Sequence, residues 1–148
     1  MNTHITAKQI SAMTNLIISK LDYQRLKVSV GNAKSDPRAS SNQVRTLWKG
    51  VNEATLLEPN DMPADVVTMN SWVRIRYMDT DRTVSLRLVY PEQADIHQNQ
   101  VSIFAPLATA ILGVKVGDLI NLPTPSHTVK IKVDQLLYQP EAAGDFSL

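Results

Sequence analysis

The side chains able to do chemistry are sparse and scattered. Histidine occurs at His4, His97 and His127, in a lead-in segment, a polar loop and the edge of a turn. A metal centre needs converging ligands, and this spacing offers none. Cysteine is absent, which excludes disulfides, thiol catalysis and thiolate ligation and suits a reducing compartment. Two acidic pairs, Asp61 with Asp65 and Asp79 with Asp81, flank a proline and a turn, where short carboxylates cap backbone N–H groups. General acid–base work needs a concave site with a shifted pKa, and the sequence points to none. There is no GxSxG elbow, HExxH helix, EF-hand loop or glycine-rich phosphate loop. The residues therefore predict no catalytic group, no cofactor, no metal and no small-molecule substrate.

Groups suited to recognition are better represented. Trp72, Arg74 and Arg76 alternate with Val73, Ile75 and Tyr77, which places an indole and two guanidinium groups on one face of a strand. Arg87 lies on the next strand and sits across from them if the register allows. Such a face suits docking to a protein or to nucleic acid. It is equally the composition of a solvated sheet face with Trp72 lying along apolar stems. A second basic set, Lys20, Arg25, Lys27, Lys34, Arg38, Arg45 and Lys49, falls in the first third of the chain. These residues could contact phosphates or simply keep a helical surface soluble. Residues 1–58 hold eight Lys/Arg against four Asp/Glu, and residues 59–148 hold seven against ten, so a basic front precedes an acidic back.

The elements that must position these groups divide the chain in two. Residues 1–13 read as a loose lead-in. From about Thr14, Leu16, Ile17, Leu21, Leu26 and Val28 form an interrupted helical stripe, with Gly31 or Asn32 placed to end it. Residues 31–42 have loop composition, and the next helix starts either from Asp36 and Pro37 or from Ser40 or Ser41. Val44, Leu47, Trp48, Val51, Ala54 and Leu57 then recur at threes and fours. The two stripes predict a short antiparallel helical hairpin over 1–58.

After Pro63 the period changes to two. The run from Trp72, a turn at Asp79–Arg82 and the run from Val84 predict a β-hairpin. A polar loop from Pro91 to Asn99, a strand over Val101–Phe104 and a helix from Pro106 to Leu112 stopped by Gly113 follow. Strands at Leu119–Leu122 and Val129–Tyr138, ended by Pro140, complete an antiparallel α+β domain over 59–148 with one short helix. The polar start lacks the apolar core of a secretory signal, and the longest apolar stretch, near Ile103–Val116, is broken by Pro106, Gly113 and Lys115. The expectation is a cytoplasmic protein without a membrane segment.

Several separated motifs occur in order: Asp65-Val66-Val67-Thr68-Met69-Asn70-Ser71, then Leu88-Val89-Tyr90-Pro91, then Ser102 to Gly113, then Val116-Gly117-Asp118, and finally Tyr138 to Asp145. Together they closely resemble the bacterial regulators of nucleoside diphosphate kinase, relatives of the Gre transcript cleavage factors. The resemblance is strong over about residues 59–148 and weak before them. It implies an FKBP-like C-terminal domain that docks on RNA polymerase near its secondary channel, and an N-terminal coiled-coil finger that points into that channel. In the cleavage factors two acidic residues at the finger tip help hold a catalytic magnesium. Here the tip carries Lys34, Asp36 and Arg38, and one carboxylate between two cations is a poor magnesium ligand set. Thr14 to Val30 as helix spans about 25 Å, short for such a finger. The resemblance thus implies a non-catalytic transcription regulator without cleavage activity, in contact with nucleic acid only inside the polymerase complex. Two alternatives stand beside it: a prolyl isomerase or chaperone-like domain of the same fold, and a nucleic-acid binder using the basic hairpin. The Thr68–Ser71 segment reads as a structural turn.

Overall fold

The N-terminal part begins with a change of secondary structure inside a few residues. In the computed structural model, which describes residues 16–37 and 40–146, Ile17–Ser19 forms strand β1 and Lys20–Ala33 forms helix α1. Ser19 makes the switch: its backbone is extended while its hydroxyl accepts the N–H of Asp22 at 3.0 Å, capping the helix. Ile17, expected on a helical stripe, is therefore in a strand. Its β-branched neighbour Ile18 is buried, and β1 finds a parallel partner in β2 (Thr55–Leu57). Thr14 lies outside the described residues.

Helix α1 also runs past Gly31, the expected stop, to Ala33. Leu26, Val30 and Ala33 are all buried, and packing outweighs the helix cost of the β-branched and glycine positions. Its 14 residues span about 21 Å. Helix α2 (Ser41–Glu53) starts from Ser40, whose hydroxyl accepts the N–H of Gln43. It buries Val44, Leu47 and Val51 and stops short of Ala54 and Leu57, because Thr55–Leu57 is drawn into β2. Tyr23 of α1 stacks on Trp48 of α2 with ring centroids 5.7 Å apart.

The rest of the chain builds a five-stranded sheet from β3 (Trp72–Tyr77), β4 (Arg82–Val89), β5 (Gln100–Ser102), β6 (Leu119–Pro123) and β7 (Thr128–Tyr138), in the order β5-β4-β3-β7-β6. The β3–β4 hairpin forms as the alternation predicts, with Asp81 in the left-handed region at its turn. The sheet is mixed, not antiparallel throughout: β5 runs parallel to β4. The intervening polar segment folds into two 3-10 turns, Pro91–Gln93 and Ile96–Gln98, which carry the chain back so that it re-enters beside β4 in the same direction. Helix α3 (Pro106–Ile111) is followed by a second short helix, α4 (Pro140–Ala143), where the sequence reading stopped at Pro140.

One core joins these pieces. Val73, Ile75, Leu86, Leu88, Ile131 and Val133 on the inner sheet face cluster with Ala108 and Ile111 of α3 and with Leu26, Val30, Val44, Leu47 and Val51 of the helical pair. Each large aliphatic side chain so buried contributes roughly 1.5–3 kcal/mol. Gly113 completes the fit. Its φ is +81°, and a Cβ there would stand 3.2 Å from the carbonyl oxygen of Ile17, so both backbone conformation and the close approach of β1 require glycine. Among the described residues no helix is long and apolar enough to cross a membrane.

Candidate functional site

The pleat of β3 decides what the outer sheet face presents. Val73 and Ile75 point into the core at 0% exposure, so Trp72, Arg74 and Arg76 point outward and are half-buried. The register sets Arg87 of β4 directly opposite Trp72, Ser85 opposite Arg74 and Thr83 opposite Arg76. The four residues expected to act together thus share one face. On the other side, β7 brings Gln135 beside Arg74 and Lys132 beside Arg76.

Each guanidinium has a different hold. Arg76 forks onto Asp134, with Nε 3.3 Å from Oδ1 and Nη2 3.1 Å from Oδ2, and also reaches Asp81 Oδ1 at 2.9 Å. Hydrogen bonds donated to the two carboxylates raise the Arg76 pKa, and the Arg76 guanidinium holds the Asp134 carboxyl below its usual range. Arg74 donates to the neutral Gln135 amide at 2.9 Å. Arg87 donates through Nε to the carbonyl of Asn70 at 3.1 Å. It lines a polar pocket of about 130 Å³ with Asn70, Val89, Gln93 and Gln100. The chemistry of this face is that of guanidinium groups, which recognise carboxylates and other acidic groups.

The tip residues lie elsewhere. Lys34 is exposed and ends α1, its N–H donating back to Val30 and Asn32. Asp36 is half-buried beside a cleft of about 300 Å³ that α1 shares with Pro91, Glu92 and Phe104. Arg38 lies outside the described residues. Among the described residues no group of three or more His, Asp or Glu side chains is placed to hold a metal ion.

A second polar cluster escaped the sequence reading. The Thr68–Ser71 segment is a turn, as expected, with Asn70 at φ +66° and the Ser71 N–H donating to the Thr68 carbonyl. It is also a junction. Its Met69 N–H donates to Asp22 Oδ2 of α1 at 3.1 Å, and its Thr68 hydroxyl donates to Glu141 Oε1 of α4 at 2.8 Å. Asn70 and Ser71 bond the backbone of Leu88 in β4. Gln139 fixes the neighbouring chain by donating to the carbonyls of Pro63 and Val66. Asp22 is buried, and desolvation together with the charge of Glu141 pushes its carboxyl up to about 7. The buried Tyr90 hydroxyl, which feels the charge of Asp22, has no hydrogen-bond partner among the described residues. The signal in the sequence was the spacing of Asp22 four residues before Leu26 and eight before Val30, which puts an acid on the buried stripe.

Residues 62–138 match the family described as transcription elongation factor, GreA/GreB, C-term. The chain is 35% identical over 134 residues to the regulator of nucleoside diphosphate kinase of Escherichia coli strain K12, covering 90% of this chain and 96% of that protein. It is 29% identical over 101 residues to transcription elongation factor GreA of Thermotoga neapolitana, covering 68% of this chain and 64% of that one. Among solved structures, the prokaryotic transcription elongation factor GreA/GreB from Nitrosomonas europaea superposes with a TM-score of 0.67 at 31% identity, over 84% of this chain and 98% of that one. With a shared fold, and a match that extends through the helical pair as well as the sheet, the chain belongs to the family of the regulators of nucleoside diphosphate kinase and carries the GreA/GreB C-terminal module.

Proposed function

We propose that this protein is a non-catalytic regulator that binds RNA polymerase near the secondary channel and modulates transcription elongation without stimulating transcript cleavage. The observation that carries the reading is the match to a regulator of nucleoside diphosphate kinase along 90% of this chain, combined with an elongation-factor module at residues 62–138. The relatives' names speak for regulation and elongation rather than for isomerisation or free nucleic-acid binding. The sheet body is the docking module, FKBP-like in plan, and residues 59–148 serve as its domain. Residues 1–58 supply the helical hairpin. Trp72, Arg74, Arg76 and Arg87 form the docking face, with help from the α3 helix. Nucleic acid is touched only within the polymerase complex, and the protein works in the cytoplasm.

Arginine chemistry favours an acidic patch on the partner. Of the two central cations, Arg76 is already matched by Asp134 and Asp81, so Arg74, bound only to a neutral amide among its described hydrogen bonds, has more to gain from a new carboxylate. The hairpin tip offers Asp36 between Lys34 and Arg38, a poor magnesium ligand set.

Binding to purified core RNA polymerase tests the first part. Arg74→Glu should weaken binding by 10-fold or more, on the order of 1.4 kcal/mol, and Arg76→Glu by less, provided both variants keep the wild-type circular dichroism. Unchanged affinity in both would remove this face from the interface. Stalled elongation complexes test the second part: the expected result is no transcript shortening, and robust cleavage would overturn it.

A further inference from the structure

Among the described residues Asp22 is the one buried carboxylate. It sits on the inner stripe of α1 and reaches across 47 residues of chain to the Met69 N–H at 3.1 Å. From the other side of the same turn, Glu141 of α4 takes the Thr68 hydroxyl at 2.8 Å. Two carboxylates therefore grip adjacent residues, and the charge on each raises the cost of charge on the other. Tyr90, whose buried hydroxyl has no hydrogen-bond partner among the described residues, feels both acids and also Arg25 and Glu92. Arg25, on α1 itself, is the cation facing the pair, and it is only partly buried. A proton on Asp22 would remove the buried charge. It would leave one oxygen to accept the Met69 N–H and supply a new O–H donor to a site that holds an unmatched hydroxyl.

We propose that Asp22 and Glu141 form a proton-linked clasp in which α1 is seated firmly on the Thr68–Ser71 turn while Asp22 is protonated, and its seat loosens when Asp22 ionises. The ligand of this site is the proton, and the element it controls is the helical pair. The inference concerns the isolated protein and does not depend on which partner it binds.

The direction follows from linkage. Seated, the Asp22 carboxyl is raised to about 7; released into water it returns to the ordinary carboxylate range. The preference for the seated state is therefore complete below the ordinary carboxylate range and lost as pH rises through about 7. The loss is spread between those two values, and neutral pH lies at its upper end.

Amide hydrogen exchange of the full chain between about pH 4.5 and about pH 8.5, corrected for intrinsic exchange, reads the clasp directly. Protection of α1 and of the Met69 amide, relative to Val73 and Ile75 in the central strand, should fall by up to ~10-fold per pH unit between the ordinary carboxylate range and neutrality, and level off above it. Asp22→Asn, which keeps an acceptor but no charge, should abolish that pH dependence. Glu141→Gln, which removes a charge that raises the seated Asp22 carboxyl, should move the levelling-off to lower pH. A flat wild-type profile, or the same loss in Asp22→Asn, overturns the clasp, and an unmoved levelling-off in Glu141→Gln removes Glu141 from it. Carbon-13 titration of the Asp22 carboxyl in the unsubstituted chain needs no variant to fold. A midpoint near neutrality supports the proposal, and one in the ordinary carboxylate range sinks it.

Discussion

A single residue can carry a tertiary contact that no side chain makes, and Gly113 is such a case. Its N–H donates to the Val67 carbonyl at 2.8 Å, its carbonyl accepts the Ile17 N–H at 3.3 Å, and its missing Cβ leaves room for β1. Gly117 has a similar backbone, φ +95°, but open space around it. Gly117→Ala should therefore cost only the left-handed backbone strain, about 1–2 kcal/mol. Gly113→Ala should cost more, about 2–4 kcal/mol once the displaced β1 strand is included. Urea denaturation of both variants measures the difference, and equal costs would show that β1 yields freely. Asp134 belongs to the same scale. Its carboxyl is held low by Arg76, so the contribution of that pair is present above the ordinary carboxylate range and disappears as pH falls through the lowered value.

At the scale of elements, the helical pair depends on how its ends are closed. Ser19 is fully buried, and its hydroxyl takes the Asp22 N–H, so it caps α1 at the point where β1 ends. Replacing it by alanine leaves that N–H without a partner in a place water does not reach. The expected loss is about 1–2 kcal/mol by thermal or denaturant unfolding. Ser40 at the start of α2 is exposed, with a longer contact of 3.5 Å to Gln43, and its alanine variant should lose less, about 0.5 kcal/mol. The reverse ranking would mean that α1 gets its stability from packing alone.

For the molecule as a whole, the single hydrophobic core implies shared stability. The two tryptophans report on its two parts: Trp48 lies on α2 against Tyr23, and Trp72 starts β3. Single-tryptophan variants, Trp48→Phe and Trp72→Phe, should show coincident urea transitions under mildly acidic conditions, where the Asp22 clasp is closed. Separate midpoints there would mean that the helical pair melts independently of the sheet.

Most of the sheet was legible from the sequence because a strand's two faces are written in alternation. Val73 and Ile75 against Arg74 and Arg76 fixed which side would be wet, and the period change after Pro63 marked the passage from helical to strand patterning. Pro106 and Gly113 bracketed α3 for equally local reasons. What the chain could not announce were choices made by distant partners. Ile17 became a strand because Thr55 lies beside it, α1 outran Gly31 because Val30 and Ala33 found a core, and β5 turned parallel because two short turns redirected the chain. The junction at Thr68–Ser71 was likewise beyond local reading, since Asp22 and Glu141 are 119 residues apart and meet only after folding. Local patterning determines the faces of elements, whereas the burial that shifts an acid's proton affinity exists only once those faces have closed on one another.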